Sequence, residues 1–217
     1  MERRPLSAGG DDVKIDLKKD RKDLYQPGTK DFVDVEVPPM TYLSIDGHGD
    51  PNTSGAYTAA VSALYAAAYA IKFAFKARTG ADFVVGPLEG LWSSSDPSVF
   101  TARRKDDWDW TMLIPLPNPV SGEDIDQGFV TAARKKPDLP IAELRPVTLD
   151  EGRSLQITHI GSYDAEAATL ARLHDDVMPS RGLTWNGRHH EIYLSDPRKV
   201  APEKMRTVLR QPVKPVS

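Results

Sequence analysis

Apolar residues recur along this chain at two periods, one near two residues and one near three to four, and the switches between them mark the elements. Phe32-Val33-Asp34-Val35-Glu36-Val37 alternates apolar and acidic side chains in its later positions, the period of a half-buried strand. Pro38-Pro39 ends it, and Met40-Thr41-Tyr42-Leu43-Ser44-Ile45 predicts a second strand. Asp46-Gly47-His48-Gly49-Asp50-Pro51-Asn52 is turn chemistry. Over residues 54–76 the period becomes helical: Tyr57, Val61, Leu64, Tyr65, Ala68 and Ile71 recur on an alanine-rich background, and Thr79-Gly80 stops the run. Phe83-Val84-Val85, residues 87–92 and residues 108–114 return to strand character.

Ser121 followed by Asp124 reads as a capping box, and Arg134-Lys135-Lys136 suits a last turn, so a linker helix is predicted over about residues 121–136. Pro137 and Pro140 break the chain after it. A second series follows, with a strand at 144–149, the turn Asp150-Glu151-Gly152 and a strand at 154–160. Gly161-Ser162-Tyr163-Asp164 then opens a helix whose buried stripe is Ala168, Leu170, Leu173, Val177 and Met178, closed by Arg181-Gly182. Strands at 190–194 and 205–210 precede a proline-containing tail. Residues 16–25, with Leu17 and Leu24 seven apart, predict a short helix packed on the body, and residues 1–15 read as a flexible leader.

The order strand, helix, strand, strand thus occurs twice, over about residues 32–116 and 144–213. The expected fold is α+β, with duplicated βαββ modules related by a pseudo-twofold axis inside one domain spanning residues 16–217. Two local echoes fit this reading. Ile45-Asp46-Gly47-His48-Gly49-Asp50 matches Ile157-Thr158-His159-Ile160-Gly161-Ser162 at an offset of 112 residues, and Glu89-Gly90-Leu91-Trp92-Ser93-Ser94-Ser95-Asp96-Pro97 echoes Glu191-Ile192-Tyr193-Leu194-Ser195-Asp196-Pro197 at 102. A cleft between two such modules is a usual place for a ligand.

Composition narrows the function classes. Of 217 residues, 40% are hydrophobic and 27% charged, an ordinary globular balance. The formal charge of −3 gives no basic face for phosphate neutralisation, and the short run Arg103-Arg104-Lys105 sits beside Asp106-Asp107, so no nucleic-acid partner is expected. The absence of cysteine removes disulfides, thiolate nucleophiles and cysteine-ligated zinc. No secretory pattern opens the chain, and the apolar stretch 61–75 is too short for a membrane span and contains Lys72, so the expected location is the cytoplasm, without a membrane partner.

The run His189-His190-Glu191-Ile192-Tyr193-Leu194-Ser195-Asp196-Pro197-Arg198, with Ala201-Pro202-Glu203-Lys204 and Arg210-Gln211-Pro212-Val213 after it, resembles the C-terminal signature of GyrI-like small-molecule-binding proteins, and more narrowly their stand-alone branch. Ile45-Asp46-Gly47-His48-Gly49-Asp50-Pro51-Asn52, Pro87-Leu88-Glu89-Gly90-Leu91-Trp92 and His159-Ile160-Gly161-Ser162-Tyr163 match in the same order, so the resemblance covers about residues 16–213. It implies two βαββ modules, as in the ligand-binding part of multidrug-responsive activators and in a gyrase-inhibitory protein. It also implies a central pocket with aromatic walls and an acidic residue. Some stand-alone members hydrolyse cyclopropanoid DNA-alkylating natural products. Relatives often carry a second aromatic after the position of Trp92, where this chain has Ser93, which bears on pocket shape.

Glu191 is the leading candidate for chemistry, because a carboxylate among Ile192, Tyr193 and Leu194 suits either pairing with a cationic ligand or accepting a proton from attacking water. A solvent-facing strand glutamate is the bland alternative, and the resemblance decides against it. Glu89 holds the echoed place and is expected to share the cavity with Glu191, as paired carboxylates, the alternative being that one of the two is a surface residue left over from duplication. Trp92 and Trp110, with Tyr65, are expected pocket walls, since flat rings stack on planar ligands. Tyr163 and Tyr193 bring hydroxyls able to donate to a developing oxyanion, and His159 is a further ligand-binding candidate.

His189 and His190, adjacent on a strand, point to opposite faces, and no metal-ligand spacing is present, so neither metal nor cofactor is expected. Gly47-x-Gly49 reads as a turn. The expected function is hydrolysis of reactive polycyclic small molecules, with Glu191 as the base. A non-catalytic drug-binding or sensing module and a protein-interaction inhibitor are the alternatives. No helix-turn-helix pattern occurs in residues 1–40.

Overall fold

The computed structural model describes residues 14–93 and 104–216. Most of the expected leader, Arg103 and the 94–97 portion of the second echo lie outside the described residues. In chain order the elements begin with β1 (Lys14–Ile15), α1 (Leu17–Asp20) and α2 (Lys22–Tyr25), so the single short helix expected here is two one-turn helices. β2 (Val33–Val37), β3 (Met40–His48) and α3 (Gly55–Thr79) follow. Ser54 caps α3 by accepting from the Tyr57 amide, and Gly80, at φ 77°, closes it in a left-handed conformation that a side chain would strain.

Among the described residues β4 (Asp82–Phe83) pairs only with β1, in parallel. β5 (Leu88–Ser93) and β6 (Asp109–Leu116) lead to α4 (Gly122–Lys135), whose Ser121–Asp124 capping box is present. Then come β7 (Arg145–Leu149), β8 (Gly152–Ile160) and α5 (Glu166–Ala171), which continues through a π-helical stretch (Arg172–Val177) into α6 (Met178–Ser180). β9 (Leu183–Trp185) was not anticipated. β10 (His189–Tyr193) and β11 (Arg206–Pro215) complete the chain, and β11 absorbs the prolines read as a tail.

The main sheet is antiparallel throughout, in the order β2-β8-β11-β10-β5-β6-β3-β7, with β9 added to β11. The strands adjacent in sequence at its start do not pair: β2 lies on β8 and β7 lies on β3. The order therefore reads alike from either edge toward the β10–β5 seam.

Side-chain alternation divides the core between two faces. On one face α3 covers β3, β5 and β6 through Leu43, Ile45, Met112 and Ile114, with α4 packed on α3, while the α5–α6 run covers β8 and β11 through Leu155, Ile157, Leu173 and Leu209. The opposite face carries Tyr42, Leu113, Ile192 and Val208 and is covered by Leu24 and Tyr25. At 25 residues, α3 is longer than the apolar stretch read from sequence and is long and apolar enough to cross a membrane by length and composition. One face of it packs on the sheet, with Ala60, Leu64, Ala67, Ile71 and Phe75 buried, while Tyr69 and Phe73 are exposed, and Lys72 Nζ lies 3.2 Å from Asp82.

Candidate functional site

The seam strands β10 and β5 fix which side chains can meet. Directly opposed residues share a face in an antiparallel pair, and His189 opposes Trp92, Glu191 opposes Gly90 and Tyr193 opposes Leu88. Trp92 in turn opposes Trp110, and Trp110 opposes Gly47. On the helix-covered face one row therefore runs His189–Trp92–Trp110–Gly47, and the next Glu191–Gly90–Met112–Ile45. A third row joins His159, Thr207 and Tyr193.

Glu191 stands in the middle of this face with its side chain 14% exposed. The Tyr193 hydroxyl donates to Glu191 Oε2 at 2.8 Å, and the Trp92 indole Nε1 donates to the Tyr193 oxygen at 3.1 Å. His189 Nε2 is 3.5 Å from Glu191 Oε1. Gly90 makes the arrangement possible. A Cβ there would lie 3.1 Å from both Trp92 Nε1 and the Tyr193 hydroxyl and 3.3 Å from Met112 Sδ, closer than a comfortable contact. Around this centre the rings meet edge to face, Tyr163 with Tyr193 at 5.6 Å, Trp92 with Trp108 at 5.4 Å and Tyr57 with Trp110 at 5.2 Å. Burial and then the Glu191 charge push the Tyr193 phenol well above its ordinary value, so it stays a donor. Burial, then Glu166 and Glu191, raise Tyr163 to about 12.

Glu166, the first residue of α5, was missed in the sequence. It is 4% exposed, and its carboxyl lies beside Thr207, in the row that also holds Tyr193 and His159. Burial first and the Glu191 charge second raise it to about 9, so Glu166 keeps its proton at neutral pH. Its Oε1 has no hydrogen-bond partner. His159 is held below its ordinary value by burial; its Nδ1 lies 3.2 Å from Thr169 Oγ1, and its Nε2 is unpartnered. No local signal marked Glu166, because an acid in a helix's first turn is ordinary complementation of the helix dipole.

Glu89 does not join this site. A residue whose neighbour Gly90 opposes Glu191 must face the other way, and Glu89 is fully buried on the opposite side of the sheet. The echo read from sequence is thus one residue out of step, and the level partner of Glu191 is Gly90. Glu89 belongs to a buried ionic chain. Its Oε1 accepts from Tyr25 at 3.1 Å, and its Oε2 lies 2.9 Å from His190 Nε2. His190 Nδ1 lies 3.0 Å from Glu151, and Arg210 binds Glu151 at 3.2 Å and the Leu24 carbonyl at 2.9 Å. Burial opposes the charge on His190, but Glu151 and then Glu89 outweigh it and raise it to about 9.

The structure therefore gathers Glu191, Tyr193, Tyr163, Trp92 and His159 on one face. Trp110 is buried at the edge of that group, against Tyr57. Tyr65, half-buried on α3, reaches the Leu88 backbone at the start of β5. Two recesses flank the group without reaching Glu191. One of about 490 Å³ is lined by Ile45, Gly47, Ala60, Trp110 and Leu139, and one of about 450 Å³ by Lys30, His159, Thr169 and Arg172.

Comparison with known proteins places this architecture. A conserved protein from Listeria innocua is 40% identical, with a TM-score of 0.84 over 93% of this chain and 100% of its own. A protein from the same organism described as a hydrolase is 38% identical, with a TM-score of 0.81 over 93% of this chain and 100% of its own. The EcmrR C-terminal domain, 11% identical with a TM-score of 0.56 over 86% of this chain and 98% of its own, shares the fold alone. No curated protein matches the chain. The pattern of the GyrI-like small molecule binding domain matches residues 32–214, which include every strand of the main sheet but for the end of β11, and the glutamate enclosed by aromatic rings. The chain belongs to the GyrI-like small-molecule-binding family.

Proposed function

We propose that this protein binds planar, polycyclic small molecules between α3 and α5 and hydrolyses those carrying an activated cyclopropane, protecting the cytoplasm from reactive electrophiles. The observation that carries the reading is the Glu191 carboxylate, 14% exposed, held at 2.8 Å by Tyr193 and surrounded by rings. The edge-to-face contacts of Trp92, Trp108, Tyr163 and Tyr193 are surfaces that a flat ligand can exchange for its own stacking. Two proteins described as hydrolases, 38% and 39% identical to this chain, support the hydrolytic part.

In a cyclopropane conjugated to a dienone, water attacks the strained ring carbon. The breaking C–C bond sends its electron pair through the conjugated system to the carbonyl oxygen, giving a phenolate. Glu191 takes the proton of the attacking water, and Tyr193 orients Glu191 through the hydrogen bond. Trp92 fixes Tyr193 in turn. A cyclohexadienone bearing a spiro-cyclopropane tests this with protein at catalytic concentration and the hydroxyethyl phenol followed by mass spectrometry. Many turnovers per protein, lost in Glu191→Gln, are expected. Stoichiometric protection without turnover identifies a binder, and unchanged turnover in E191Q removes Glu191 from the role.

A further inference from the structure

Glu166 is a titratable group that this scheme leaves unused. It belongs to the first turn of α5 and lies beside Thr207, which pairs with Tyr193 two residues from Glu191. Its side chain is almost wholly withdrawn from water, yet Oε1 has no partner in the protein. A buried oxygen with nothing to bond is destabilising unless a ligand group completes it. The groups around it are Thr207 from β11, Tyr193 and Glu191 from β10, and Tyr163 and Asp164 from its own approach segment. None of the side chains from the sheet is a cation that would hold Glu166 as a carboxylate, and Glu191 opposes a second negative charge.

We propose that Glu166 is a second catalytic carboxyl of this site, the acid that protonates the carbonyl oxygen of the bound substrate while Glu191 deprotonates water. The inference rests on the hydrolytic reading above and adds the missing half of its proton balance. One proton leaves water for Glu191 as the C–O bond forms. One proton leaves Glu166 for the dienone oxygen as the cyclopropane C–C bond breaks and the ring becomes aromatic. The products are the neutral phenol, a protonated Glu191 and an ionised Glu166, and transfer of one proton from Glu191 to Glu166 restores the starting state. Two carboxyls with separated roles need different environments. Here Glu191 is partly exposed and accepts from Tyr193, whereas Glu166 is buried beside Thr207 with Oε1 unpartnered.

The test uses the full chain, the spiro-cyclopropane dienone and the variants Glu166→Gln and Glu191→Gln. E166Q is expected to lose about 100-fold in kcat with KM nearly unchanged, because the amide still fills the place but transfers no proton. The wild-type rate falls as pH rises through the value at which Glu166 ionises, and this limb disappears in E166Q. Infrared spectra at pH 7 are expected to contain a protonated-carboxyl C=O band in wild type and E191Q that is missing in E166Q. Full activity and an unchanged alkaline limb in E166Q, with E191Q inactive, overturn the role of Glu166 and leave the hydrolytic reading intact. Absence of the band in wild type overturns it likewise. No turnover by wild type overturns both.

Discussion

The buried acid at position 166 makes a prediction about stability that is independent of any substrate. A carboxyl with a native value of about 9 keeps its proton in the fold, while the unfolded chain releases it above the ordinary value of 4.5. The native state then binds more protons than the unfolded one, so stability falls as pH rises between those limits. Each unit corresponds to about 1.4 kcal/mol, and pH 7 lies two and a half units above 4.5, so wild type carries a penalty of about 3 kcal/mol there. Glu166→Gln has nearly the same shape and no charge to suppress. Its advantage over wild type is expected to be near zero at pH 4.5, about 3 kcal/mol at pH 7, and larger still toward pH 9. Urea denaturation at half-unit steps measures it, and with a slope of about 2–3 kcal/mol per molar the neutral-pH midpoint rises by about 1 M. A variant no more stable than wild type at pH 7, or one whose advantage is the same at every pH, refutes the protonated, buried carboxyl. A substitution that stabilises at the proposed acid is the expected signature of a site strained for chemistry.

Other expectations follow from the same geometry. His190, raised from 6.5 to about 9, contributes stability that is complete below 6.5 and is lost as pH rises through 9. In an E166Q background, where the other alkaline loss is gone, this limb remains in urea titrations and is abolished by His190→Gln; persistence of the limb assigns it elsewhere. The same substitution leaves Glu89 and Glu151 buried without the cation between them and is expected to cost about 3–5 kcal/mol at pH 7. Arg210→Met removes the bond to the Leu24 carbonyl, so limited proteolysis within residues 16–31 is expected to accelerate at least several-fold, and an unchanged cleavage rate counts against this clamp. Gly90→Ala forces Trp92 and Tyr193 apart and is expected to lower turnover of the dienone about 10-fold while destabilising by about 1–2 kcal/mol.

The hydrophobic pattern located the strands of the main sheet other than β9, and both long helical runs, because burial on one face imposes a period that the sequence displays. It did not reveal partners across the sheet. The Glu89 and Glu191 echo was aligned on identical letters, but a shift of one residue turns every side chain to the opposite face, and only the register with Gly90 shows which glutamate is in the site. Glu191, Tyr193, Trp92 and Tyr163 were legible through their shared aromatic and acidic context. Glu166 was not, since its burial arises from the fall of α5 onto the His159–Thr207–Tyr193 row, a contact between segments far apart in the chain.

The exchanged outer strands have a further consequence. β2 finds its ladder on β8, more than a hundred positions later, and β3 waits for β7 across a comparable span. During synthesis β3, β5 and β6 can pair among themselves, but β2 and the outer edge of β3 stay bare until the late segment is released. Completion of the sheet is therefore postponed to the finished polypeptide and is slow for its size, as nonlocal pairing dictates. Neither half is separable by cleavage in the linker, since each would leave with its neighbour's rim strand missing.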